Sequence, residues 1–418
     1  MSDTSLTIED IKKEASQWLD ENWSPDRSLQ EWRNILVDGG WAAPAWPVEY
    51  FGRGFNNEQA AIVEAVFREK GAIGAAQEGP RKLAAETILA MGNDDQKKRY
   101  LRPILTGEHA WCQLFSEPGS GSDLAGLTTK AEQVDGQWII NGQKVWNTSA
   151  HHADYGILVA RTNWDVPKHQ GISYFLINMH QPGVEVRPLR QMNGHASFNE
   201  VFMTDAVVPL EDLVGGEGNG WAVAKTTLSY ERRAILRRGA GVSKAKRNGK
   251  IYEEYEKEVA IANEPYTWYP QRQGRVDLVL PRAKETGAIK DPVIRQEIAK
   301  LICMSTGNAL ASAAAEAKRK SGSNEIIPAG SIGKLAASVI ARQASHCHTL
   351  IAGTDAMLSG ADSPEDGIVA EVLVSVPAIS IAGGTDEIQR NIISERVLGM
   401  PAEPRLDTGP FRDIKRNN

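Results

Sequence analysis

The spacing of apolar residues changes twice along this chain, and those two changes constrain the fold more than any single motif. Up to about residue 110 the spacing is helical: Thr7 can cap a helix in which Ile8, Ile11, Ala15, Trp18 and Leu19 recur three and four apart. The Gly/Pro-rich stretch 39–54 breaks the pattern, which resumes over 57–69 and 81–91. From about Trp111 apolar residues come in short alternating runs. Residues 137–146 predict two short strands around an Asn141-Gly142 turn, and YGILVART, GISYFLINM, GVEVRPL and EVFMTDAVV follow as strands. So many short strands in about a hundred residues predict a small barrel or sandwich. After Gly220 the helical period returns, with alanine-rich stretches such as 309–320 that suit close helix packing. Segment 262–275, with two prolines and three aromatics, interrupts it and reads as an inserted loop. The expected fold is α+β and mostly α, with domains over 1–110 (helical), 111–215 (strands) and 216–418 (helical).

Composition removes several function classes. The 418 residues exceed one small core, and 41% hydrophobic with 24% charged residues is ordinary for a globular chain. A net charge of -6 speaks against a nucleic-acid partner. Two basic clusters, Arg232, Arg233, Arg237 and Arg238, and Lys318, Arg319 and Lys320, read as solvated helix faces. Cys112, Cys303 and Cys347 show no CxxC spacing, so neither a disulfide framework nor a zinc site is expected, and a reducing compartment fits. His346 and His348 stand two apart on an expected helix and point to different faces, while the adjacent His151 and His152 read as surface or pocket rim. No metal site is expected. The N-terminus has no apolar h-region and no stretch reaches eighteen apolar residues, so a cytoplasmic chain without membrane insertion is expected.

Four segments can carry chemistry. SEPGSGSD (116–123) follows the first expected strand; its glycines let backbone N–H groups converge on an anion, although most Gly/Ser-rich turns are only turns. In WIINGQKVWNTSA (138–150), Trp146 and Thr148 stand two apart on a strand and so on one face. A flat aromatic beside a hydroxyl suits a planar heterocyclic cofactor; a barrel-core tryptophan is the alternative. On the helix from Gly220, Trp221, Ala224, Leu228, Glu231 and Ile235 form one stripe, so Glu231 takes a position reserved for an apolar side chain. An unpaired carboxylate there would have a raised pKa and could take a proton from carbon; pairing with Arg232, Arg233 or a neighbouring helix is the alternative. Finally, IAGGTDEIQRNIISERVLGMP (381–401) is a Gly-Gly turn opening a helix, with Thr385 as N-cap and free N–H groups that suit a carbonyl oxygen or phosphate.

Together and in this order, GGWAAPAWPVEY, SEPGSGSDLAGLTTKAE, INGQKVW and GGTDEIQRNII resemble the acyl-CoA dehydrogenase family over nearly the whole chain. The resemblance implies an N-terminal helical domain, a middle β-barrel and a C-terminal four-helix bundle, with FAD as cofactor. It implies that Gln113, Leu114, Phe115, Ser116, Gly121 and Ser122 form the FAD strand and loop, with Ser122 also near the acyl-CoA. Trp146, Asn147 and Thr148 then lie beside the flavin, and Thr385 and Glu387 near the cofactor after the Gly-Gly turn. Many relatives carry the catalytic base in that turn; here the turn reads Ala382-Gly383-Gly384-Thr385, and the glutamate is absent. A second group carries it in Leu-x-x-Glu-Arg on the first long helix of the last domain, and LSYER (228–232) matches, which makes Glu231 the base and Tyr230, Arg232, Gly383 and Gly384 substrate contacts.

The implied reaction is α,β-dehydrogenation of an acyl-CoA thioester to the trans-2-enoyl-CoA, with electron-transferring flavoprotein as acceptor. A flavin monooxygenase or oxidase on the same fold, and a non-catalytic partner subunit, are the alternatives. The family's Arg-x-x-Phe-Gly segment, which one subunit gives to its neighbour's FAD, has no clean counterpart in 281–301, and the second glycine motif reads IAGTDAML (351–358). Both changes resemble the bacterial heteromeric subgroup that includes the large subunit of pimeloyl-CoA dehydrogenase and steroid side-chain dehydrogenases. A second subunit or a homo-oligomer is expected, with Arg295 and Gln296 keeping part of the inter-subunit contact.

Overall fold

The computed structural model describes residues 6–76, 79–237, 247–321, 329–360, 363–405 and 407–414, with the side chains of 232–237, 319, 320, 329 and 364 outside that description. By internal contacts the chain divides into two compact units: Met1–Leu189 with Ser197–Pro265 and Asp407–Asn418, and Arg190–Ala196 with Tyr266–Leu406.

The first unit holds the N-terminal helices α1 (Ile8–Asn22), α2 (Leu29–Asp38), α3 (Asn57–Lys70), α4 (Pro80–Met91) and α5 (Asp94–Thr106), of which α1 begins at the expected Thr7 cap and α4 at Pro80 without a side-chain cap. Thr7 Oγ1 accepts from Asp10 N at 3.2 Å, and the Asp10 carboxylate accepts from Thr7 N at 3.1 Å. Asn56 and Asn93 build the same reciprocal cap for α3 and α5. The core holds a tryptophan cluster in which Trp32 is fully buried and donates from Nε1 to Ile73 O at 2.6 Å.

Eight strands follow: β1 (Trp111–Leu114), β2 (Lys130–Val134), β3 (Gln137–Thr148), β4 (Tyr155–Arg161), β5 (Ile172–Asn178), β6 (Val184–Leu189), β7 (Phe198–Pro209) and β8 (Leu213–Val214). They form one sheet in the order β6-β7-β3-β2-β4-β5-β8, with β1 branching off β4 in a parallel pair. Alternation divides β4 between two cores. Ile157 and Val159 join the helical core, and Leu158 and Ala160 join the sheet's own cluster. That is why β4 reads as a continuous apolar run.

The expected hairpin at Asn141-Gly142 is not made, because β3 runs unbroken through it. The turn lies earlier, at Asp135-Gly136, where φ values of 49° and 78° give the left-handed pair that a two-residue hairpin needs. Gly142 instead marks a register shift where the backbone presses on Thr129; a Cβ there would meet the Thr129 Cα at 2.7 Å.

Two further helices, α6 (Gly220–Arg237) and α7 (Lys250–Asn263), belong to this unit. A buried hydroxyl set fixes α6 against its neighbours: Thr227 Oγ1 lies 2.9 Å from Thr87 Oγ1 on α4 and 3.1 Å from Tyr174 OH on β5. The tail returns to the sheet, where the Phe411 ring lies 3.4 Å from the guanidinium carbon of the buried Arg161.

The second unit contains α8 (Tyr269–Arg272), α9 (Val276–Glu285), α10 (Pro292–Lys320), α11 (Ala329–Ala352), α12 (Ile368–Ser375) and α13 (Asp386–Arg396). Helix α11 is its hub, packing on α9, α10, α12 and α13. The segment 262–275 is not an inserted surface loop: it is the end of α7, a 3₁₀ turn and α8, and Trp268 within it is buried. Its aromatics pack on one another, Tyr269 meeting Tyr266 and Trp268 edge-on at 4.9 and 5.2 Å. The alanine-rich run 309–318 does not pack within the described residues; nearly all of it is exposed on α10.

A buried ion pair ties the strands to the loop after β1. Lys144 Nζ donates to Glu117 Oε1 at 2.9 Å and to Phe115 O at 2.9 Å, and both side chains are almost wholly buried. Glu117 also accepts from Thr128 N at 2.7 Å, Thr128 Oγ1 at 2.9 Å and Thr129 N at 2.9 Å. Burial by itself would raise the carboxyl, but Lys144 and the threonine donors hold it down to about 2. Burial lowers the Lys144 amine, with Glu117 opposing the shift. Lys144→Met should therefore cost about 3–5 kcal/mol, because it strands a buried carboxylate. The double change with Glu117→Gln should recover part of that loss. Because the folded carboxyl pKa is depressed, its stabilising share is complete above the ordinary carboxylate value and fades as pH falls towards about 2. Thermal midpoints of the wild type and both variants across that range check both statements.

Candidate active site

The flavin-type segments gather around β1 and β3 in the first unit. Val145 N donates to Ser116 O at 2.9 Å and Asn147 Nδ2 to Gln113 O at 2.8 Å, so the strand carrying Trp146 is fastened to the 113–116 stretch. Leu114 and Phe115 are buried; Phe115 meets Tyr174 edge-on at 5.9 Å. Beyond them, Glu117 and Ser120 exchange backbone hydrogen bonds at 2.9 and 3.0 Å, and Ser120 Oγ donates to Asp123 O at 2.5 Å. Gly121 and Ser122 stand exposed beside this closed turn. Neither Gly119 nor Gly121 has a positive φ, and a Cβ on either would meet nothing within 4 Å. These glycines leave space rather than relieve strain.

Trp146 is reached by a different route from the even spacing expected with Thr148. The β3–β7 register shifts between Lys144 and Asn147, and Trp146 sits in that irregularity with a φ of 64°. A bulge of this kind turns a side chain away from the regular pleat. Trp146 is 55% exposed and meets the Phe198 ring edge-on at 5.8 Å and 82°. A large ring in left-handed backbone, facing outward, is a strained arrangement of the sort kept at ligand sites. Thr148 is half-buried at the end of β3. Beside the ring, Asn147 Oδ1 is buried with no hydrogen-bond donor among the described residues. The open glycine side, the outward tryptophan and this unsatisfied amide oxygen fit a planar, polar-edged cofactor such as FAD.

Glu231 is half-buried on α6. The buried face of that helix is turned from the expected stripe: Val223, Ala224 and Thr227 are buried, while Trp221, Leu228 and Tyr230 are partly so. Glu231 continues the Val223–Thr227 row at four-residue spacing, one turn beyond the hydroxyl set that fixes the helix. Arg232 lies on the same helix, with its side chain outside the described residues.

The second unit carries the Gly-Gly turn. Gly383 and Gly384 have φ values of 72° and 85°, the left-handed region that glycine enters freely. Gln389 Nε2 donates to Gly383 O at 3.3 Å and to Gly384 O at 3.5 Å, and no acceptor among the described residues meets Gly383 N. A Cβ on Gly383 would find open space. Thr385 caps α13 as expected, its Oγ1 accepting from Ile388 N at 3.3 Å. The turn is moored by the buried Asp386, which accepts from Lys334 Nζ at 3.2 Å and Arg342 Nη1 at 3.0 Å on α11. Burial would raise the Asp386 carboxyl, but Ser338, Arg342 and Lys334 hold it down to about 2. Glu387 is exposed beside Arg390 at 3.6 Å. Arg295 and Gln296 are exposed near the start of α10.

Sequence reasoning missed the residues that brace these segments. Lys144 stands two before Trp146 in a strand, and a lysine within an apolar run signals a buried partner; Glu117, inside the motif, is that partner. Asp386 sits in the first turn of α13, between the expected Thr385 and Glu387.

Comparisons with known proteins agree with this layout. Residues 5–108 match the acyl-CoA dehydrogenase N-terminal domain, 112–206 the middle domain and 273–398 the C-terminal domain. The chain is 37% identical over 370 residues to acyl-CoA dehydrogenase FadE34 of Mycobacterium tuberculosis, covering 88% of this chain but 45% of that protein, so it spans about half of that relative's length. It is 32% identical over 386 residues to acyl-CoA dehydrogenase IpdE1 of the same organism, covering 90% of this chain and 88% of that one. In fold it is similar to a solved Tcur3481-Tcur3483 steroid ACAD (TM-score 0.64, 21% identity, 95% of this chain and 98% of that chain). It is also similar to the ChsE4-ChsE5 complex from Mycobacterium tuberculosis (TM-score 0.59, 24% identity, 96% and 100%). The chain belongs to the acyl-CoA dehydrogenase family, oxidoreductases that act on the CH–CH bond of acyl-CoA thioesters.

Proposed function

We propose that this chain binds FAD and removes the α and β hydrogens of an acyl-CoA thioester, giving the trans-2-enoyl-CoA, with Glu231 as the base. The observation that carries the reading is Trp146, an outward tryptophan in left-handed backbone whose neighbour Val145 bonds Ser116 at the start of the glycine loop. FAD, when bound, supplies the hydride acceptor. Gln113–Ser116, Gly121, Ser122, Trp146, Asn147, Thr148, Arg295, Gln296, Thr385 and Glu387 are its proposed contacts. Glu231 takes the α-proton onto its carboxylate, and Tyr230, Arg232, Ser122 and Gly384 border the substrate. The N–H of Gly383 donates to the thioester oxygen, where charge develops as the proton leaves. Electron-transferring flavoprotein is the proposed acceptor and the cytoplasm the proposed compartment.

The empty Cβ direction at Gly383 supports room next to the α-carbon and hence α-methyl-branched or steroid-derived acyl chains. Substituting Gly383 is a poor test, since its φ of 72° strains any side chain. The wild type tests it better: kcat/KM for a 2-methyl acyl-CoA should equal or exceed that for the matched straight chain. A strong preference for the straight chain would remove the shape argument.

Glu231→Gln should keep FAD and volume but slow anaerobic flavin bleaching by acyl-CoA at least about a hundredfold. Near wild-type bleaching would assign the base elsewhere. A folded protein that binds no FAD, alone or with a partner subunit, would end the whole reading.

Helix α10 supports assembly. Over Pro292–Lys318 it is long and apolar enough to cross a membrane by length and composition, its most apolar 18-residue window having a mean hydropathy of 1.2 with 11% of that window buried. Arg295, Glu297, Lys300, Glu316 and Lys318 punctuate it, which favours a protein partner over lipid. Its exposed Val293, Ile302, Met304 and Leu310 are the proposed contact with a second subunit, of the same or a related chain. Light scattering should find an oligomer, and Leu310→Glu should shift it towards smaller species.

A further inference from the structure

His151 and His152 end the short helical turn after β3, and Glu264 stands just beyond the end of α7. Among the described residues, these three side chains are a group whose ligand atoms all lie within 4.8 Å of one another. The two imidazole centroids are 4.0 Å apart and tilted by 48°. All three residues are exposed, and all belong to the first compact unit. We infer that His151, His152 and Glu264 form a binding site for a divalent transition-metal ion of the zinc class, joining the end of β3 to the end of α7.

The donor set selects the ion. Two imidazoles and one carboxylate suit zinc and its neighbours, whereas magnesium and calcium take oxygen ligands. Zinc holds nitrogen and oxygen donors at roughly 2.0–2.2 Å, so in a tetrahedral site they stand about 3.3 Å apart. Closing the group from its present spread takes rotation of exposed side chains and no movement of the fold. Three protein ligands leave a fourth position for water.

A second observation points the same way. Asn199 is fully buried on β7, and its Oδ1 has no hydrogen-bond donor among the described residues. Its side chain interacts with the His151 ring. Its amide nitrogen is committed elsewhere, donating to Asn147 O at 2.9 Å, so the direction of Oδ1 is fixed. Metal-bound imidazoles donate their second ring N–H to a carbonyl or carboxylate oxygen, and Asn199 Oδ1 is such an acceptor. The link continues from Asn147 Nδ2 to Gln113 O at 2.8 Å, so the metal group lies a short hydrogen-bonded path from β1. The inference stands whether or not β1 carries a flavin.

The test uses the full chain, without a polyhistidine tag, freed of metal by chelator and titrated with Zn²⁺ by calorimetry. One equivalent should bind per chain. His151→Ala and Glu264→Gln should each weaken binding at least about tenfold. His346→Ala, an exposed histidine on α11, should bind as the wild type does, and Mg²⁺ should not compete. A readout free of substitutions accompanies this: Zn²⁺ should protect His151 and His152 from diethyl pyrocarbonate, followed by peptide mass mapping. No binding by the wild type, undiminished binding by a His151→Ala/His152→Ala double variant, or no protection of either histidine would each overturn the assignment.

Discussion

The Lys144–Glu117 ion pair is the contact on which the cofactor side of this protein depends. It is costly to bury two charges, and here the cost is offset by five donor contacts: two from the amine and three from the threonines of 128 and 129. The geometry explains why the pair is retained. The Glu117 carboxylate closes the turn after β1 from inside, and the Lys144 amine reaches from β3 to the carbonyl of Phe115. Strand β3, the 113–116 stretch and the start of β2 are thereby held as one piece. An apolar pair of equal volume could fill the space but could not satisfy Phe115 O and the two backbone N–H groups of 128 and 129. The loop motif is thus specified from below, by a residue two positions from Trp146, and its solvent side is left open.

Much of this was legible in the sequence, and the reasons are specific. Thr7 caps its helix where a side-chain oxygen must replace missing backbone partners, and such a local bond does not depend on the rest of the fold. The strands β4 to β7 were equally clear, β4 and β5 as continuous apolar runs buried on both faces and β7 as an alternation of buried and open positions. What failed were readings that needed a long-range partner. Asn141-Gly142 has the composition of a hairpin turn, yet β3 continues through it with Gly142 pressed on Thr129 at a register shift, while the less conspicuous Asp135-Gly136 makes the turn. Segment 262–275 has the composition of a loop, yet Trp268 is buried. Composition reports what a residue can do, and tertiary contact decides which option is taken.

The candidate base shows the same division. The motif LSYER located Glu231, and the expected stripe shares Ala224 with the buried face of α6 but is rotated from its centre. Burial follows Val223, Ala224 and Thr227 because the Thr227 hydroxyl must meet Thr87 and Tyr174, and no hydrophobicity pattern records that need. Glu231 shares the Val223–Thr227 row, so the hydroxyl set orients it through the helix. A threonine inside the buried row is itself the legible sign, since a buried hydroxyl requires a partner.

The Trp146 and Gly383 segments, one in each compact unit, are built on opposite principles, and that difference bears on how selection between substrates could arise. Around Trp146 the chain accepts local strain: a bulky residue at positive φ, stabilised by the strands on either side. Around Gly383 it avoids strain by using glycine and then spends two ion-pair contacts on Asp386 to keep the following helix start in place. A fixed aromatic wall suits a cofactor whose shape never changes. A side-chain-free turn on a rigid mooring suits a variable ligand, because the hydrogen-bonding backbone stays put while the volume beside it is open. Changes in acyl preference would then come from residues bordering that volume, and changes at the Lys144–Glu117 pair would alter the cofactor side without altering which acyl chain fits.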